Sequence, residues 1–333
     1  MKKILPPIGI IGDGGWGTTL AKLLIEKKYP VTVWGPFPDY VKRLERTREN
    51  RKFLPGIKIP AAVKFSSDLK KVISENDYLV LAIPSQYLVK ILKDIRKCPY
   101  RGKTFVSVIK GIDTRTFLTM SQLVEKELGP VPIAVLSGPT IAIEVARQIP
   151  TTAVIASGDK LLMEELQHIF SCSYFRVYTN SDVMGVEICG SVKNIIALAC
   201  GVCDGLGFGT NTKAALLTRG LVEMTRLGRA LKADPATFIG LTGLGDLATT
   251  CFSPNSRNRF VGSELGKGKS IRSILRSMDA VAEGVVTAKA VHLLAHKCRI
   301  DMPITEAVYN ILYRGRSPQR AVADLMKRSL KSE

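Results

Sequence analysis

Ile8-Gly9-Ile10-Ile11-Gly12-Asp13-Gly14-Gly15-Trp16-Gly17-Thr18-Thr19-Leu20-Ala21 sets Gly12, Gly14 and Gly17 in G-x-G-x-x-G register between a short apolar run and an amphipathic one. In a strand-turn-helix, Gly12 permits the tight turn and Gly14 lets backbone N–H groups reach a pyrophosphate. Gly17 lets the helix pack on the strand, and the helix N-terminus then faces the anion. A glycine triplet alone is weak evidence, but strand, turn and helix signals surround this one.

Outward from this turn, β-rich runs alternate with amphipathic ones: Ile8–Ile11, 18–27, Val31–Trp34 and 39–49. Further strand signals lie at 78–83, 103–108, 133–136, 153–156 and 175–178. Such alternation predicts an α/β fold, an N-terminal Rossmann-like, doubly wound and mainly parallel sheet. After about Asn180 the strand signals stop, and helical stretches at 191–203, 214–231 and 286–297 predict an all-α C-terminal domain. The expected domains are therefore 1–180, for the dinucleotide, and 181–333, helical, for substrate binding and catalysis. No internal repeat or low-complexity tract interrupts them.

A chain of 333 residues with 46% hydrophobic content can bury a full core. Met1-Lys2-Lys3 opens like a signal peptide, but the apolar run at Ile8–Ile11 is cut at once by Gly12-Asp13-Gly14-Gly15. No uninterrupted apolar segment approaches the ~20 residues of a membrane helix, so the expectation is a cytoplasmic chain without membrane insertion. The 7 cysteines are scattered, which fits a reducing compartment. Cys200 and Cys203 have CxxC spacing but no second pair, and they read as small buried residues of an apolar helix; no metal is expected.

The net charge of +19 steers anions toward the protein. Its cations, such as Lys42, Arg43, Arg46, Arg48, Arg51 and Lys52, are interleaved with Glu45 and Glu49 as on solvated helix faces. No aromatic-rich basic stripe accompanies them, so specific nucleic-acid binding is not expected, whereas a phosphorylated small molecule is. The second strand ends Val33-Trp34-Gly35-Pro36 without a carboxylate for ribose hydroxyls, and Asp39 lies beyond two prolines. With Arg43 and Arg46 close behind, a 2′-phosphate should be tolerated. The cofactor expected is NADP(H), NAD(H) or both.

Five further blocks stand in order: Lys110-Gly111-Ile112-Asp113, Leu136-Ser137-Gly138-Pro139-Thr140, Ser191-Val192-Lys193-Asn194, Gly243-Leu244-Gly245-Asp246-Leu247 and Ser256-Arg257-Asn258-Arg259. With the opening turn, and with Met302-Pro303-Ile304-Thr305-Glu306 and Tyr309, the chain resembles the bacterial NAD(P)-dependent glycerol-3-phosphate dehydrogenases from about residue 8 to residue 313. The resemblance implies reduction of dihydroxyacetone phosphate to sn-glycerol 3-phosphate, for glycerophospholipid synthesis. It implies a catalytic acid/base at Lys193, and substrate positions at Lys110, Gly138, Thr140, Asp246, Ser256, Arg257 and Asn258. Cofactor positions fall on Gly15, Trp16, Pro36, Lys110, Ala142, Arg257, Val281 and Glu283. Pro36 departs from the basic or polar residue common there, and Gly15 offers only backbone.

The residues carry this chemistry on their own terms. Ketone reduction needs a proton donor at the developing alkoxide. A lysine such as Lys193, with an unperturbed pKa of ~10.4, holds its proton at pH 7; the reverse reaction needs the free amine, at ~4–5 kcal/mol. This favours glycerol 3-phosphate synthesis. Asp246 could orient Lys193 and accept from a substrate hydroxyl, or serve as a helix N-cap. Lys110, at the carboxyl edge of a strand beside Gly138 and Thr140, is either a third catalytic group or a solvated lysine. Arg257 and the Asn258 amide offer a planar fork and a second donor for phosphate, on a helix expected to start at Ser253-Pro254; the alternative is a surface arginine cluster. Glu283, after a helix break at residues 277–279, could bond a cofactor amide or merely cap a helix.

Two other classes compete. One is a two-domain NAD(P)-dependent dehydrogenase for another hydroxy acid, which would have no need of the phosphate fork at 256–259. The other is a non-catalytic nicotinamide-sensing or nucleic-acid-binding regulator, for which the polar set Lys110, Lys193, Asp246 and Arg257 would have no use. A homodimer through the helical half is a further expectation.

Overall fold

The structure is a computed structural model describing residues 5–278, 281–330 and 332. Met1-Lys2-Lys3, and Asp279 of the expected helix break, lie outside the described residues. The chain divides into two compact units, one of residues up to Lys110 with Leu118–Val183, the other of Gly111–Phe117 with the chain from Met184 onward. Gly111–Phe117 thus clusters with the helical unit, which a single cut at residue 180 does not express. Its Ile112 is 3% exposed and joins the helical core.

The first unit runs β1 (Ile8–Ile11), α1 (Gly15–Glu26), β2 (Val31–Trp34), α2 (Pro38–Thr47), β3 (Lys64–Ser66), α3 (Leu69–Glu75), β4 (Tyr78–Leu81) and α4 (Leu88–Ile95). It continues with β5 (Thr104–Ser107), α5 (Met120–Leu128), β6 (Ile133–Ser137), α6 (Ala142–Ala146), β7 (Thr151–Ala156), α7 (Lys160–Phe170) and β8 (Phe175–Asn180). The eight strands form one sheet in the order β3-β2-β1-β4-β5-β6-β7-β8. All neighbours pair in parallel except β6 with β7. The order reverses between β1 and β4, and a doubly wound sheet opens a ligand crevice at the carboxyl ends of such a pair.

Both faces of the central strands are covered, as parallel sheets require. Ile8, Ile10, Val33, Val80 and Val106 feed one apolar cluster, while Ile11, Leu79, Leu81 and Phe105 feed the other. This is the period-2 alternation of a strand sorting neighbours to opposite faces.

The second unit is helical: α8 (Val183–Gly205), α9 (Thr210–Ala230), α10 (Pro235–Ile239), α11 (Asp246–Phe252), α12 (Arg257–Gly266), α13 (Ile271–Arg276), α14 (Glu283–Cys298), α15 (Pro303–Tyr313) and α16 (Pro318–Met326). Residues 185–203 of α8 are all buried, and the helix is the spine of this core. By length and overall composition α8 could cross a membrane, yet its apolar window is wholly buried within the protein. Glu187, Lys193 and Asn194 break the apolar run in sequence but are buried with it. Backbone contact between α8 and α12 is close, since a Cβ on Gly262 would stand 2.1 Å from Leu198 O. That approach holds the middle of α12 against the spine.

Candidate functional site

The β1–α1 turn is tight for a steric reason. Gly12 has φ +131°, and a Cβ there would lie 2.4 Å from Ala82 O, just after β4. A Cβ on Gly17 would stand 2.2 Å from Gly12 O, so α1 rests directly on the turn. Gly14 is different, with nothing within 4 Å of its would-be Cβ. It is the N-cap of α1 and makes no side-chain cap, so the first-turn amides are left for an anion. Gly15 closes the other side, its would-be Cβ 2.6 Å from Phe53 O. Trp16 packs into the unit's apolar core, with its ring centroid 6.3 Å from that of Phe175. Thr19 Oγ1 donates to Ala142 O at 3.1 Å, which ties α1 to the start of α6. Pro36 is exposed just beyond β2.

Asn50, fully buried, fixes this turn by donating to Asp13 O and Thr18 Oγ1, both at 2.8 Å, and accepting from Tyr40 at 2.6 Å. Asp13 Oδ2 is buried without a hydrogen-bond partner, and burial pushes the carboxyl pKa up. Its oxygen occupies the place of a side chain at residue 35, 2.2 Å from where a Gly35 Cβ would be. An open glycine cradle, uncapped amides and an orphaned carboxylate oxygen together fit the diphosphate and ribose of a dinucleotide.

Lys110, Gly138 and Thr140 gather at the carboxyl ends of β5 and β6. Gly138 has φ +131°, and its carbonyl accepts from Lys110 Nζ at 3.0 Å and Thr140 Oγ1 at 3.2 Å. Lys110 is therefore half-buried and bonded, not a freely solvated lysine.

In the helical unit, Lys193 Nζ on α8 donates to Asp246 Oδ1 and, at 2.7 Å, to Thr250 Oγ1. Lys193 is 5% exposed and Asp246 1%. A π-helical turn, Leu241–Gly245, precedes α11 and makes Asp246 its first residue, so the carboxylate turns inward to the lysine and does not act as N-cap. Thr250, one turn later, also donates to Asp246 O at 2.7 Å. Cys251 beside them hydrogen-bonds Cys200; that bond and burial push its thiol pKa well up.

The block at 256–259 divides its work. The expected helix start at Ser253-Pro254 is corrected: α11 ends at Phe252, and Ser256 caps α12 by accepting from Arg259 N at 3.2 Å. Proline statistics favoured position 254, but the cap is set by the residue whose oxygen reaches a first-turn amide. Arg257 is exposed at the first position of α12. Asn258 turns inward, contrary to its expected part as a phosphate donor. Its Nδ2 donates to Asn194 Oδ1 and its Oδ1 accepts from Gly284 N, both at 2.9 Å. Arg259 bonds Asp204 Oδ2 at 2.5 Å, and Lys213 bonds the other oxygen at 2.7 Å. Burial raises the Asp204 pKa, but these two cations outweigh it and hold the carboxyl low. A rotation of 100° per residue sends these neighbours to different surroundings. Val281 and Glu283 flank the start of α14, where Ala282 is an N-cap without a side-chain bond.

Residues 7–163 match the family described as NAD-dependent glycerol-3-phosphate dehydrogenase N-terminus, and residues 182–323 match its C-terminus. The glycerol-3-phosphate dehydrogenase [NAD(P)+] of Geobacter metallireducens is 49% identical over 329 residues, 98% of each chain. The chain belongs to the NAD-dependent glycerol-3-phosphate dehydrogenase family. The Chlorobium limicola protein of the same name is 46% identical over 98% of this chain and 99% of its own. A crystal structure of the Coxiella burnetii glycerol-3-phosphate dehydrogenase has a TM-score of 0.95 at 37% identity, covering 98% of this chain and all of that one.

For a glycerol-3-phosphate dehydrogenase of this family, the motif blocks led to most of these positions but not to their partners. Thr250, Asn50 and Asp13 were missed. Thr250 stands four residues after Asp246 and shares its helix face, a spacing that could have flagged it. Asn50, from a loop, carries no local signal.

Proposed function

We propose that this chain is an NAD(P)-dependent sn-glycerol-3-phosphate dehydrogenase that converts dihydroxyacetone phosphate to sn-glycerol 3-phosphate, feeding glycerophospholipid synthesis. The observation that carries the reading is the buried Lys193–Asp246 ion pair with Thr250 in the helical core. A buried ion pair is weak evidence for stability and more readily explained by a task.

When bound, NAD(P)H supplies the hydride that reaches the carbonyl carbon. Lys193 then delivers an Nζ proton to the carbonyl oxygen, and Asp246 with Thr250 keeps that ammonium in one direction. Arg257, together with the first-turn amides of α12, holds the substrate phosphate. Ser256 contributes by capping that turn and Asn258 by anchoring it. Lys110, Gly138 and Thr140 contribute donors at the sheet's carboxyl edge. Gly12, Gly14, Gly15, Trp16 and Gly17 cradle the cofactor diphosphate, with Pro36, Ala142, Val281 and Glu283 as further cofactor contacts. The division into a dinucleotide domain at 1–180 and a catalytic domain at 181–333 belongs to the same reading, as do a cytoplasmic setting and a homodimer formed through the helical unit.

The deciding experiment follows oxidation of NADH and NADPH by the purified chain with dihydroxyacetone phosphate and, separately, with ketopantoate. Oxidation with the first substrate supports the reading, and oxidation with ketopantoate alone rejects it. Light scattering of the same sample tests the dimer.

A further inference from the structure

Among the described residues, His292, His296 and Glu306 form a cluster of potential metal ligands that the proposed reaction does not use. His292 and His296 are four residues apart on α14 and so share a helix face. Both point at a single oxygen of Glu306 on α15: His292 Nδ1 lies 2.7 Å from Glu306 Oε2, and His296 Nε2 lies 3.3 Å from it. One ligand atom from each of the three lies within 4.8 Å of the others. Tetrahedral zinc, with bonds of about 2.0–2.1 Å, spaces its ligands by about 3.3 Å, so side-chain adjustments of up to about 1.5 Å would bring the three together around it.

We propose that His292, His296 and Glu306 form a binding site for zinc or a similar transition-metal ion that clamps α14 to α15. Two imidazoles and one carboxylate are borderline donors that select such ions over calcium or magnesium. The metal would stand between the two ring nitrogens and Oε2 in place of their present direct contacts. Outer contacts are in place as well. Asn310 Nδ2 donates to Glu306 Oε1 at 3.2 Å and orients the carboxylate. The His292 ring is stacked on Tyr309, centroids 3.7 Å apart and planes 7° apart, which fixes its direction. A cavity of about 160 Å³ lined by His292, His296, Thr305 and Glu306 gives a fourth ligand, such as water, room to enter. This site takes no part in the proposed reaction, so it stands or falls independently of the dehydrogenase reading.

The test is calorimetric titration of chelator-treated, full-length protein with ZnCl2, paired with thermal melts and cobalt(II) absorption spectra. One equivalent of zinc should bind the wild-type chain and raise Tm by several degrees at a hundredfold excess over Kd. The His296 side chain is 67% exposed, so His296→Ala should fold normally while binding zinc at least about tenfold more weakly. Glu306→Gln should weaken binding similarly. Cobalt should show nitrogen and oxygen ligation. Absence of stoichiometric zinc binding, equal affinity in His296→Ala, or a thiolate charge-transfer band pointing to Cys298 would each overturn the proposal.

Discussion

Lys193 on α8 and Asp246 at the head of α11, 53 residues apart in sequence, form an ion pair in which both side chains are nearly excluded from solvent. Such a pair is costly to break, because the surviving charge stays buried: removal of one partner typically costs about 3–5 kcal/mol. Activity and stability are therefore coupled at this position, and a single substitution has to be read on both.

Lys193→Met should lower kcat by ~10²–10⁴ and also lower Tm. Lys193→Met combined with Asp246→Leu should recover much of the Tm, because no charge is left unpaired, without recovering activity. Turnover above a tenth of wild type in either variant would remove Lys193 as proton donor.

Arg257 is exposed and the structure shows no ion pair for it among the described residues. Arg257→Gln should shift stability by no more than about 0.5 kcal/mol. It should instead raise KM for dihydroxyacetone phosphate with a smaller change in kcat, and steady-state kinetics with an unchanged KM would exclude Arg257 from phosphate binding.

The glycines of the first turn separate folding from binding. Gly12→Ala meets Ala82 O at 2.4 Å and carries a positive φ, so it should destabilise the sheet unit and abolish cofactor binding. Gly14→Ala meets nothing within 4 Å, so its Tm should stay near wild type while fluorescence titration shows weaker NADH and NADPH binding. Equal Tm losses in the two variants would contradict this division.

Glu223, on α9, accepts from Ile304 N at 2.6 Å and from Thr305 N and Oγ1 at 3.1 and 3.0 Å, which caps α15 from a buried position. Burial raises its pKa from 4.5 to about 7, only partly opposed by these donors. A carboxyl whose pKa is higher in the folded state contributes stability that is full below pH 4.5 and lost as pH rises through 7. Wild type should thus lose roughly 3 kcal/mol relative to Glu223→Gln between those limits. Parallel pH profiles of Tm for the two proteins would refute it.

The alternation of apolar and amphipathic runs located β1 and β2 to the residue and foretold the switch to helices near residue 180. It missed β3, a three-residue strand at the sheet edge whose Lys64 is exposed and whose apolar pattern is too short to register. The glycine register marked the dinucleotide turn in the sequence, and the ordered motif blocks pointed to Lys193, Asp246 and Arg257. The glycine register is a local signal within one strand-turn-helix, whereas the blocks carried Lys193, Asp246 and Arg257, on three separate helices, through the family resemblance.

Sequence alone therefore determined the two architectures and the chemical types present, because strand and helix periodicity and tight-turn sterics act over a few residues. Only the tertiary structure decided which polar groups meet: Thr250 joining Lys193, Asn258 turning in to Asn194, Ser256 rather than Ser253 capping α12, and Asn50 holding the Asp13 turn. Those pairings bridge separate elements or depend on where a helix ends. Burial makes a partner obligatory for a polar group without naming it, and the packing of distant segments makes that choice.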